Sequence, residues 1–298
     1  MRIIVTGAHG LVGTEVVRDL RIAGHEVIPL VRRREWEGIF WDPSKGEIDG
    51  KKLEGTDAVL HFAGENISSG RWTVKQKERI LQSRVKGTTL LAETLADLQK
   101  PPSVLLSASA VGFYGSCLQG ETVDEDSPLG EGFLARVTEA WEHSTKAAEV
   151  AGIRVVHMRF GMILSQKGGA LAKMLPIFRL GIGGKLGDGK QSMSWISLSE
   201  VPCVIRFLLE HEELHGPVNV TAPQSVSNVV FTRTLGSVLH RPTLFPVPRL
   251  LVKAVFGEMG EELLLSGCRV LPQKLTMAGY SFAYPSLNEA LIEALQRR

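Results

Sequence analysis

"RIIVTGAHGLVG", Arg2 to Gly13, is the stretch that decides the fold. An apolar strand runs into a turn with glycines at 7, 10 and 13, and an amphipathic segment follows, ending at Gly24 as a C-cap. The first glycine permits the tight bend, the second lets a pyrophosphate approach the main chain, and the third packs the helix close to the sheet. The turn from Gly7 through His9, Gly10, Leu11, Val12 and Gly13 then offers its amides to the phosphates, with the helix dipole behind them. Alone, such a triplet is a plain turn. Between an apolar strand and an amphipathic helix it marks a dinucleotide site.

Working outward, "HEVIPLV", "IFW", "DAVLHFAG", "SVLLSAS" and "IRVVHMR" read as strands. A long helix is predicted from about Trp72 to Leu98, stopping at Pro101-Pro102, and another over Phe133–Ala151. Strands bare of charge and separated by helices describe a parallel sheet buried on both faces. The fold class is therefore α/β, a Rossmann-type doubly wound sheet over residues 1–164, with ligands beyond the carboxyl ends of the strands. After Arg159 the rhythm breaks. Residues 165–298 read as a small substrate lobe laid against the sheet, not an independent domain, from which later segments can still add core strands.

The chain has 298 residues, 44% hydrophobic and 22% charged, with net charge +2. That is ample for a buried core and too evenly balanced for nucleic acid as the main partner. Cys117, Cys203 and Cys268 lie far apart without a CxxC pair, and read as small core residues in a reducing compartment, not as disulfides or zinc ligands. The N-terminus opens with a strand and not a signal segment, and no run approaches the eighteen or so apolar residues of a membrane helix. A soluble cytoplasmic protein is expected, with neither nucleic acid nor membrane among its partners.

The second strand chooses the cofactor. NAD calls for a carboxylate about 20 residues past the glycines, on the ribose hydroxyls. Here "PLVRRREW" offers Arg32, Arg33 and Arg34. A guanidinium suits a 2′-phosphate through forked, charge-assisted bonds, so Arg32 or Arg33 points to NADP, with Arg34 read as solvated.

Taken together, "GAHGLVG", "HFAGENI", "SRVKGT", "SASAVGFYG", "MRFGMIL" and "VFGEMGEELLLSGCRVLP" resemble the extended, epimerase-like short-chain dehydrogenase/reductases. More narrowly they resemble an atypical subfamily labelled nucleoside-diphosphate-sugar epimerase and, for some members, cell-division inhibitor. The resemblance covers nearly the whole chain. It implies that Phe62, Ala63 and Gly64 wall the adenosine and ribose region, with Glu65 and Asn66 facing the nicotinamide end. It also implies that Arg84 points to the cofactor, that Ser107 lies under it, and that Ser109 bonds the reacting carbonyl. The loop after Arg159, with Gly161 and Ile163, would close over the nicotinamide.

Most of that superfamily carries a tyrosine and a lysine at i and i+4 on the helix after the serine strand, on one helical face. The resemblance puts these positions at Phe133 and Val137, in "FLARV". Neither carries a titratable proton, so the usual dyad is absent. Lys146 is too far round the helix, and Arg136 is always protonated. Tyr114 is a catalytic candidate, its alternative being a half-buried aromatic with its hydroxyl on the backbone; Glu65 is a weaker rival.

Two patterns are set aside. "HEELH", His211 to His215, matches a zinc-protease motif but ends a helix with no third ligand nearby. "GKLGDGKQ", Gly184 to Gln191, lacks the P-loop hydroxyl and leads into a strand. Five cations against Asp188 leave residues 166–190 at net +4, either a solvated loop or a seat for an anionic ligand such as a sugar nucleotide. Trp72, Trp141 and Trp195 are assigned to the core. The expected function is an NADP-dependent oxidoreductase or epimerase for a small carbonyl, alcohol or sugar-nucleotide substrate. The alternative is an NADP(H) sensor without catalysis. Monomer and homodimer both fit.

Overall fold

The computed structural model describes residues 1–118 and 120–296. The chain begins with β1 (Arg2–Thr6), α1 (Leu11–Ile22), β2 (Glu26–Val31), β3 (Ile39–Asp42) and β4 (Glu47–Ile48). It continues through β5 (Ala58–His61), α2 (Val74–Ala96), β6 (Val104–Ala110), β7 (Thr122–Val123), α3 (Phe133–His143), α4 (Lys146–Val150) and β8 (Arg154–Phe160). Then come β9 (Met162–Leu164), α5 (Gly169–Arg179), β10 (Ser192–Met193), β11 (Trp195–Ser197), α6 (Glu200–Glu210) and β12 (Gly216–Val220). The last part holds β13 (Val226–Ser227), α7 (Asn228–Val238), α8 (Arg249–Phe256), α9 (Glu258–Leu264), β14 (Arg269–Val270), α10 (Gln273–Met277) and α11 (Leu287–Gln296).

The main sheet runs β12-β8-β6-β5-β1-β2-β3-β4. Every pairing in it is parallel except β3 with β4. This is the expected doubly wound sheet, with its order reversing between β1 and β5. β12 and α6 lie beyond residue 164 and still belong to it: β12 pairs with β8, and Val204, Ile205 and Leu208 of α6 pack on Ile3 and Val5. On the opposite face Ile4, Leu105 and Val155 meet Leu91 and Leu95 of α2. The alternation follows from the two-residue period of a strand, and each fully buried Leu or Ile contributes about 1.5–3 kcal/mol. The lobe has a core of its own, in which Leu171, Phe178, Trp195, Phe231 and Leu291 meet. Trp72, Trp141 and Trp195 are all buried, as expected.

Three expectations are corrected. The helix expected over Phe133–Ala151 breaks at Ser144 and Thr145, whose hydroxyls donate to the carbonyls of Ala140 and Glu142 and draw the chain out of the helical path. The segment holding Ile163 is strand β9, paired with β11, and not a loop. Cys117 and Cys268 are disulfide-bonded, because β14 pairs with β7 and brings residues 151 apart to a Cα separation of 5.0 Å. Spacing along the chain carried no sign of that pairing. Cys203 is free.

Candidate functional site

The turn after β1 lies where the sheet order reverses. Gly7 has φ +66°, and a Cβ on it would meet the Phe62 carbonyl carbon at 2.9 Å, so the turn sits directly against the end of β5. A Cβ on Gly13 would overlap the Gly7 carbonyl oxygen, so α1 is pressed onto the turn. Gly10 is the N-cap of α1 and no side chain caps it, which leaves the amides after Gly10 facing the crevice. Glycine is required here by contact as well as by conformation, and the cradle fits a pyrophosphate.

Beyond β2, Arg32 is exposed and has no hydrogen-bond or ion-pair partner among the described residues. Arg33 lies over the Trp36 ring at 5.1 Å, and Trp36 contacts the His9 ring at 4.4 Å. Arg34 is engaged elsewhere, on Phe40 and Glu47. A free guanidinium beside a cationic and aromatic tip suits an anionic ribose ester. Sequence reading did not single out Trp36; its only signal was an aromatic directly after the arginines. A groove of about 570 Å³ lies between α1 and β2, lined by Ala8 and His9 of the glycine turn and by Thr14, Arg18, Arg21 and Pro29. It is three strands from Ser109 and is not the crevice that the sheet order defines.

The far wall is held by a buried chain of hydrogen bonds. Thr6 Oγ1 accepts from the amides of Phe62 and Ala63, both at 3.1 Å, so its own proton goes to His61 Nδ1 at 2.8 Å. Nε2 therefore carries the ring proton and donates to Thr88 Oγ1 at 2.9 Å, which also accepts from Trp141 Nε1. Burial lowers the His61 pKa to about 4, from 6.5. The unfolded chain binds that proton near pH 6.5 and the folded chain only near pH 4. Stability from the neutral ring is thus complete above pH 6.5 and lost as the pH falls towards 4, by about 3 kcal/mol. Urea titrations at pH 7 and pH 4.5 are expected to show a smaller pH-dependent loss in His61→Gln than in the parent; equal losses would rule the ring out.

Next on this wall, Arg84 donates through Nη1 to the carbonyls of Glu65 and Ile80, each at 3.1 Å, and lies over the Trp141 ring. Burial lowers its pKa to about 10, against the opposing charge of Glu65. Its Nη2 has no acceptor among the described residues and lies beside Gly64. Asn66 is turned into its own loop, accepting from Ser68. Lys173 of α5 donates to Ser68 at 2.7 and 2.8 Å and ties the lobe to this loop.

Both expected catalytic hydroxyls are committed. Ser109, at the carboxyl end of β6, donates to Glu142 Oε1 at 2.6 Å. Arg159, beside Ser109 in the β6–β8 register, grips Glu142 through Nε at 2.8 Å and Nη2 at 2.9 Å. Its Nη1 donates to Tyr114 Oη at 2.9 Å, and Tyr114 donates to Asn219 Oδ1 at 2.7 Å. Burial pushes the Tyr114 pKa up to about 12 against the pull of Arg159. Burial opposes the charge on Arg159, but its bonds to Glu142 outweigh that and raise its pKa. Tyr114 is buried, with its hydroxyl on side chains and not on the backbone. A phenol so bound is a poor proton shuttle near neutral pH, which counts against the catalytic candidacy of Tyr114. Sequence reading missed Glu142; "WEH" on α3 gave no sign of it until the sheet register put Arg159 beside Ser109.

Phe133 and Val137 pack with Trp72, Ile80 and Met259, with Phe133 edge-on to Trp72 at 5.0 Å. Glu262 of α9 accepts from the amides of Phe133 and Leu134, both at 2.9 Å, and so caps α3. "FLARV" is thus the joint between α2, α3 and the C-terminal segment. Ser107 is buried beside His61 in the β5–β6 register, Gly161 lies against Ser194, and Ile163 packs on the main core. In the basic segment Lys167 pairs with Glu15 at 3.8 Å, Arg179 with Gln166 at 3.4 Å and Lys185 with the Asp188 carbonyl at 3.2 Å. Of these three, only Lys167 meets a carboxylate; Arg179 and Lys185 bond neutral oxygens, which do not cancel their charge.

Residues 3–221 match the model of the NAD dependent epimerase/dehydratase family. The chain belongs to that family. Residues 247–294 match a domain of unknown function, DUF1731, which contains α8 and α9. The chain is 39% identical to an epimerase family protein of Mycobacterium bovis, over 99% of this chain and 98% of that one. It is 35% identical to the Bacillus subtilis epimerase family protein YfhF, over 100% and 99%. Among solved structures, the human epimerase family protein SDR39U1, crystallised with NADPH, superposes with TM-score 0.88 at 32% identity, covering 100% of both chains. Family membership and the glycine cradle agree, and the resemblance drawn from sequence motifs is upheld. Among the described residues no helix is long and apolar enough to cross a membrane.

Proposed function

We propose that this chain is an NADP(H)-dependent oxidoreductase or epimerase for a small carbonyl or alcohol, in which Glu142 handles the proton through Ser109. The observation that carries the reading is the 2.6 Å bond from Ser109 Oγ to Glu142, at the carboxyl edge of the sheet. The Gly7–Gly13 amides hold the pyrophosphate, Arg32 the 2′-phosphate, and Arg84 flanks the crevice. When bound, the nicotinamide supplies the hydride acceptor or donor. Ser109 and Glu142 deal with the remaining proton. An alcohol O–H donates to Ser109 Oγ, whose own proton passes to the Glu142 carboxylate as the carbonyl forms, which weakens the ion pair with Arg159; the reverse sequence returns the proton and restores the pair. Human SDR39U1, seen with NADPH, supports the choice of cofactor.

The test is NADPH consumption across carbonyl compounds and sugar nucleotides. Glu142→Gln is expected to keep NADPH affinity and lose about 10²- to 10⁴-fold in turnover. Turnover kept in Glu142→Gln but lost in Tyr114→Phe would return the proton to Tyr114. The cofactor assignment has its own test: Arg32→Asp weakens NADPH more than NADH, by about tenfold or more, and equal weakening refutes the 2′-phosphate contact.

A second reading is a nucleotide sensor, favoured by the apolar cluster at Phe133 and Val137. Tight NADPH binding with no turnover of any compound, unchanged in Ser109→Ala, would select it.

A further inference from the structure

No Asp or Glu lies between Glu213 and Glu258, and none between Glu149 and Asp188. The fold lays parts of these two acid-free stretches side by side. Arg241 Nε donates to the Arg179 carbonyl at 2.9 Å, Val247 N to the Lys185 carbonyl at 2.8 Å, and Gly187 N returns to the Val247 carbonyl at 2.9 Å. Large apolar side chains stand out along both: Leu180 is 73% exposed, Leu244 76%, Phe245 57% and Leu250 80%. On α8 the exposed residues Leu250, Leu251 and Val255 share the outer side, while Val252 is buried. Arg179, Arg241 and Arg249 are interleaved with them; Arg249 and Lys253 are partly offset by Glu261 of α9.

We propose that this face docks on an anionic lipid surface, with Leu244, Phe245 and Leu250 entering the headgroup layer and Arg241 and Arg249 meeting lipid phosphates. The charge pattern selects this occupant. A second copy docking face to face would set cations against cations, whereas a bilayer with anionic headgroups complements both the charge and the apolar side chains. The segments are a proline-rich connector and a short helix with one apolar face, which is the geometry of interfacial contact and not of spanning. The proposal departs from the expectation that no membrane is among the partners.

The test is co-sedimentation of the full chain with phosphatidylcholine vesicles, with and without phosphatidylglycerol. Binding is expected only with phosphatidylglycerol, weakening as salt rises. Arg241→Gln with Arg249→Gln is expected to lower partitioning about tenfold or more, and Phe245→Ser with Leu250→Ser likewise. These residues are exposed, and NADPH titration of each variant checks that the fold and the cofactor site are intact. No binding, equal binding to both vesicle types, or sedimentation as a dimer that Phe245→Ser with Leu250→Ser dissociates would overturn the proposal. None of those outcomes bears on the NADP(H) assignment.

Discussion

Arg159→Met is expected to lower stability by about 3–5 kcal/mol, read as the shift of the urea midpoint at constant slope. Arg159 is 3% exposed and the Glu142 carboxylate is gripped at two points, so removing the guanidinium strands a carboxylate in a site that excludes most water. The methionine also gives up the stack on Phe113, where the guanidinium carbon lies 3.5 Å from the ring centroid. The double variant Arg159→Met with Glu142→Leu leaves no unpaired charge and is expected to recover much of the loss. If the two single losses simply add, the pair is not coupled and the network is not a unit.

Gly13→Ala is the second large effect. The added Cβ overlaps a main-chain oxygen, not the end of a flexible side chain, so either α1 or the Gly7 turn must move. Overpacking of this kind costs about 1–3 kcal/mol, and the displaced amides lower NADPH affinity about 10- to 100-fold. Fluorescence titration of NADPH reads the affinity and thermal melting reads the fold. Parent-like affinity would show that the amides of this turn do not hold the cofactor.

The nucleotide half of the molecule was legible in the sequence because its signals are local. A glycine turn between a strand and a helix, and arginines one strand later, need no partner from elsewhere in the chain. The empty dyad at Phe133 and Val137 was read from the family resemblance, not from a local signal. What fills it was not legible. Trp72 reaches α3 from just before α2, and Met259 and Glu262 reach it from α9, so only tertiary packing brings them together. What counts against Tyr114 was hidden on similar grounds: its hydroxyl is bound by Arg159 and Asn219, which lie 45 and 105 residues away. The disulfide and the Ser109–Glu142 bond likewise join distant positions, so no reading of spacing reaches them.

The carboxylate that caps α3 comes from α9, within the stretch matching DUF1731 and outside the one matching the epimerase family. A fragment cut after Thr221 would retain all eight strands of the large sheet, yet two amides beside Phe133 would face solvent or nothing. The two matched stretches are therefore interlocking pieces, and recombining either with a foreign counterpart would separate a helix from its own anchor.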